Sequence, residues 1–106
     1  MDIAAFRAAA LSLPEVEEKP HWERTSFRIR NKIIATLDES KRLAVIKLDE
    51  SDAEALARAL PEAVKKRYWG VQVWTEINLD LVELALVETL LRETWAKLAP
   101  KRLARR

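Results

Sequence analysis

His21 is the single histidine of this 106-residue chain, and Trp22 stands beside it directly after Pro20. An imidazole next to an indole could transfer a proton or hold a flat ligand. The partners that usually complete such a site are missing. The chain has no cysteine and one glycine, which removes thiolate nucleophiles, zinc sets, two-histidine metal motifs and phosphate-cradling glycine loops. No serine nucleophile motif occurs either. A lone histidine in this setting more often closes a hydrogen bond at a strand end. No enzymatic activity, cofactor or metal is expected.

The other candidates are cations. Arg28 and Arg30 are two residues apart on a predicted strand, with Lys32 just beyond them. Lys65, Lys66 and Arg67 precede Tyr68 and Trp69, and Lys101, Arg102, Arg105 and Arg106 close the chain. Lysine and arginine attract phosphates, and a neighbouring ring such as Trp69 can stack on an unpaired base or wedge into a groove. The plainer alternative is a solvated outer strand face whose charges discourage edge-to-edge pairing. A different class of function would place a small ligand or a protein partner near His21, Trp22 and Trp69.

Net charge is only +2, but its sign changes from segment to segment. Predicted strands are positive, above all residues 24–47 and 65–75, while predicted helices are negative. A segregated field of this kind can steer a polyanion to one side. The N-terminal MDIAAFRAAALSL reads as an amphipathic helix rather than a secretory signal, and nothing resembles a membrane span. A cytoplasmic monomer is expected.

Periodicity supplies the elements. Asp2 can cap a helix with Ile3, Phe6 and Ala10 on one face, and Pro14 and Pro20 bracket an extended connector, EVEEK. Phe27 and Ile29 alternate with Arg28 and Arg30, which predicts a strand with the arginines in solvent. A tight turn at Asn31-Lys32 leads to strands over residues 32–37 and 42–48, separated by Asp38 to Lys41. Ser51 to Glu54 has capping-box spacing for a second helix ending near Pro61. A short hairpin flanks Gly70. A last helix from about Asp80 to Leu98 carries Leu84, Val87, Leu91 and Trp95 on one face, and Pro100 ends it. Trp74 shares strand parity with Gln72 and Glu76, on the less apolar side. The expected fold class is α+β, in the order α-β-β-β-α-(β-β)-α: a three-stranded antiparallel meander and a second short hairpin packed against helices. Residues 1–100 form one domain and residues 101–106 a basic C-terminal tail.

Four stretches carry a family resemblance: Leu11 to Leu37, YWG at Tyr68 to Gly70, the tryptophan of QVWTEINL, and LAPKRL. Together they resemble the MmcQ/YjbR family of small bacterial proteins over nearly the whole chain. That resemblance implies a sandwich like that of frataxin (CyaY) and a double-wing DNA-binding module. Arg28, Arg30, Lys32, Lys65, Lys66, Arg67, Trp69, Lys101 and Arg102 would then be the nucleic-acid contacts. Likeness to frataxin also raises a weak cation site among Glu15, Glu17, Glu18 and Glu23, since converging carboxylates are needed to hold a divalent ion.

Overall fold

The computed structural model describes residues 1–104. Helix α1 (Ile3–Leu11) starts at Asp2, whose carboxylate accepts from the Ala4 amide at 3.3 Å, and it buries Phe6 and Ala10. Four strands follow: β1 (Val16–His21), β2 (Arg24–Ile29), β3 (Lys32–Asp38) and β4 (Leu43–Ile46). Helix α2 (Glu50–Ala59) leads to the hairpin of β5 (Val64–Trp69) and β6 (Gln72–Asn78), then a 3-10 turn at Leu79–Leu81. Helix α3 (Leu84–Leu98) and a last turn, α4 (Lys101–Ala104), complete the order.

The α+β class is as expected, with one more strand than the sequence suggests. The Pro-bracketed connector is β1, paired antiparallel with β2 along its whole length. It lacks apolar alternation because it is an edge strand, exposed between its two ends, and Pro20 is tolerated where an edge needs no ladder donor. The short hairpin is not separate either. Strand β6 pairs with β4, giving one six-stranded antiparallel sheet in the order β1-β2-β3-β4-β6-β5.

Local differences have local causes. The β2–β3 turn is Arg30-Asn31, not Asn31-Lys32; both residues have positive φ, 49° and 68°, as a tight primed hairpin turn requires. Gly70 supplies the same backbone at the β5–β6 turn, with φ 60°. Helix α2 begins at Glu50 behind Asp49, and no side-chain cap forms. The Asp49 carboxylate accepts instead from the Lys97 ammonium of α3, which also lies 3.6 Å from Asp52. Helix α3 begins at Leu84, later than the periodicity suggests, and Leu84 is exposed while Val87, Leu90, Leu91, Thr94 and Trp95 are buried.

Register sorts the strands into two faces. Glu18, Phe27, Ala35, Ile46, Thr75 and Lys66 form one cross-strand row, and Phe27, Ala35 and Ile46 from it join Phe6, Ala53, Val87, Leu91 and Trp95 in the core. Phe6 meets Phe27 edge-on, with centroids 5.7 Å apart. Trp95 donates its indole N–H to the Pro14 carbonyl at 2.9 Å, closing the loop after α1 over the last helix. The adjacent row points the other way. It runs Lys19, Ser26, Thr36, Val45, Glu76 and Lys65 across all six strands. Val45 and Trp74 are buried on this second face yet stand outside the core cluster, because α1, α2 and α3 bury their apolar residues on the first.

Candidate functional site

The face that these three helices leave open carries a groove of about 670 Å³. The β1–β2 turn, His21 to Arg24, forms one wall; Gln72 and Trp74 at the start of β6 form the other; Ile33 and Thr36 of β3 lie between them. A second depression of about 480 Å³ shares Ile33 and Trp74 and adds Asn31, Lys32, Lys47 and Leu98. The two therefore adjoin along one track across the sheet.

A chain of contacts sets the first wall. Ser26, fully buried, donates its hydroxyl to the Lys19 carbonyl at 2.9 Å and accepts from Arg28 Nε at 2.8 Å. Arg28 Nη2 then lies 3.3 Å from His21 Nδ1. The His21 ring runs parallel to Trp22 within 5°, with centroids 5.8 Å apart. Trp22 itself is 96% exposed. The histidine does close a hydrogen bond at a strand end, as expected.

Arg28 departs from expectation. It is half-buried rather than free in solvent, because Ser26 and His21 take up the guanidinium; beside it the register with β3 passes from Phe27 opposite Ala35 to Arg28 opposite Ile33, leaving Ile34 as the extra residue of a bulge on β3. Arg30 is exposed but sits in the turn, not on β2, and pairs with Glu15 at 3.0 Å. Arg102 approaches the same carboxylate at 3.8 Å. The Lys65-Lys66-Arg67 run is split by strand alternation: Lys65 and Arg67 share parity with the open face, and Lys66 with the core face. Lys66 lies 5.8 Å from the Tyr68 ring centroid, and its ammonium is held above the ordinary lysine range, chiefly by Tyr68. Arg67 makes two hydrogen bonds to the buried Glu76 carboxylate, at 3.0 and 3.1 Å. Lys32 lines the second depression, and Lys101 is exposed. The Trp69 side chain, Arg105 and Arg106 lie outside the described residues.

The four glutamates do not converge. Glu15 faces Arg30 and Arg102, Glu17 faces Lys19 at 3.7 Å, Glu18 takes a hydrogen bond from Arg7 at 3.1 Å, and Glu23 sits in the β1–β2 turn. Among the described residues no group of three or more His, Asp or Glu is gathered to hold a metal. The remaining displaced titrations serve structure. Asp38 is held below the ordinary carboxylate range by the Ser40 hydroxyl and the Lys41 amide; Arg7 and Lys97 are raised, first by their hydrogen bonds to Glu39 and Asp49.

Arg24, Lys47 and Trp74 are among the groove residues that escaped the sequence reading of the site. Arg24 lies two residues before Ser26 and Lys47 two after Val45, so strand parity alone would have placed both on the open face. The Lys47 ammonium lies 5.6 Å from the Trp74 ring centroid. Trp74 is on the expected side of its strand but only 9% exposed, and Leu98 at the end of α3 lines the second depression with it. Among the described residues Arg24, Arg28, Lys47 and Lys65 make no ion pair.

A model of the YjbR family matches residues 11–97, a span that holds the whole groove except Leu98 at its margin. The chain belongs to the YjbR family. The crystal structure of Deinococcus radiodurans protein DR2400, described by the family domain DUF419, is similar with a TM-score of 0.78. It is 23% identical, and the match covers 91% of this chain and 77% of that one, so the likeness is one of fold. No curated protein matches the chain.

Proposed function

We propose that this YjbR-family chain is a non-enzymatic, monomeric cytoplasmic protein that binds DNA through the open face of its sheet. One observation carries the reading: that face has a groove bordered by Arg24, Lys32 and Lys47, with Arg28 beside His21, while among the described residues the only carboxylate lining either depression is Glu23. Phosphates interact with such cations at long range, and the Trp22 ring adds contact area. Arg30, Arg67 and Arg102, already facing carboxylates, are secondary in this reading, and Lys65 and Lys101 extend the field at its margins. No described helix is long and apolar enough to cross a membrane, which fits the proposed location.

Binding by a handful of phosphate contacts is modest, with non-specific dissociation constants of about 10⁻⁴ to 10⁻⁶ M at physiological salt. Titrating a labelled oligonucleotide with the protein and with an Arg24→Ala, Lys47→Ala, Lys65→Ala variant tests it. The variant should bind about tenfold or more weakly, with a salt dependence flatter by roughly two to three in slope. Unchanged binding by the variant would remove the groove from the interaction. The groove also favours a second reading, a small flat ligand held beside His21 and Trp22. Such binding would respond little to salt.

A further inference from the structure

We propose that the groove receives unpaired bases, so that the preferred partner is single-stranded rather than duplex nucleic acid. This deepens the DNA-binding reading and rests on it. The carrying observation is the state of Trp22. It occupies the tip of the β1–β2 turn at φ 59°, a conformation that glycine and asparagine accept readily and that is an outlier for so bulky a residue. Its indole is 96% exposed. Among the described residues no core contact explains a tryptophan there, and its ring contact is with another flat ring, His21, parallel within 5°.

His21 is itself set from below. Arg28 holds its Nδ1, and Ser26 holds Arg28, so two strands fix the plane of the inner ring while the indole's outer surface faces water. A flat platform of this kind matches the face of a base. In a duplex the base faces are covered by their stacked neighbours, whereas a single strand can present them. The charge layout agrees. Cations border the track from Arg24 to Lys47 and Lys32, where a sugar-phosphate chain would run. Glu23, which would repel a phosphate, stands beside the platform, where a base can offer amino groups to a carboxylate. Gln72 on the far wall can donate and accept with a base edge. Ser26, Arg28 and His21 are positioning residues in this arrangement, and Trp22 is the contact.

The test compares one labelled 12-nucleotide strand, alone and annealed to its complement, at the same low salt, with wild type, Trp22→Ala and Trp22→Phe. The single strand should bind wild type about tenfold or more tightly than the duplex and quench tryptophan emission. Trp22→Ala should weaken single-strand binding about tenfold or more, and by a larger factor than duplex binding, whereas Trp22→Phe should restore most of it. Circular dichroism confirms that the variants fold, as a fully exposed turn residue permits. Duplex binding as tight as or tighter than single-strand binding, or a Trp22→Ala variant that holds the single strand normally, overturns base stacking and leaves DNA binding standing. Failure of both forms to bind wild type overturns the DNA reading and this inference together.

Discussion

Arg28 on β2 reaches across the sheet to His21 on β1, placing Nη2 3.3 Å from Nδ1 of the ring. Every nitrogen of a guanidinium is a donor, so Nδ1 is the acceptor of this contact. The contact turns an arginine that the sequence places in solvent into the support of the groove wall.

Replacing Arg28 by alanine should therefore do more than delete a surface charge. Ser26 and His21 each lose a partner, and the expected destabilisation is about 1 to 2 kcal/mol, against less than about half a kcal/mol for Arg24→Ala. Urea melts of both variants measure this. Equal, negligible losses would mean that the Arg28 contacts contribute nothing to the fold.

Phe27 neighbours Arg28 but points into the core, fully buried against Phe6. Phe27→Ala removes that ring and leaves a cavity, with an expected loss of about 3 to 5 kcal/mol. A thermal melt decides the matter, and a loss below about 1 kcal/mol would contradict the register.

These neighbours show what was legible in the sequence. Alternation of Phe27 and Ile29 with the arginines fixes which side of β2 is apolar, and it is correct. Alternation says nothing of what waits on the other side. Ser26 and Thr36, polar yet buried, share a row with Val45 and Glu76, and β1 extends that row beyond Ser26 to Lys19, whose carbonyl takes the Ser26 hydroxyl. Strand β1 was hidden because an edge strand of EEKP needs no apolar periodicity. With β1 unseen, the wall formed by His21, Trp22 and Arg24 had no visible counterpart, and nothing in the sequence set it opposite Trp74. The carboxylate partners of Arg30 and Arg67, Glu15 and Glu76, are fifteen and nine residues away along the chain, and no local pattern announces them.

Arg67 and Glu76 give a further contrast. The arginine is largely exposed, but the carboxylate it grips is buried. Arg67→Met leaves that charge without its partner, and a loss of about 1 to 3 kcal/mol is expected, reduced from the fully buried case by solvent screening. Arg58→Ala breaks an exposed pair with Glu54 four residues away and should cost no more than about half a kcal/mol. Denaturant melts of the two variants should separate clearly. Similar small losses would mean that Glu76 is solvated.

The central claim is that phosphates are held by the cations of the open sheet face, and binding of a labelled oligonucleotide across a series of salt concentrations tests it most directly. Measurable binding at low salt and a linear fall of log affinity with log salt are expected. Its slope should correspond to roughly three to five phosphates, and deletion of Lys101 to Arg106 should flatten it slightly without unfolding the domain. No binding at the lowest salt, or an affinity indifferent to salt, would contradict it.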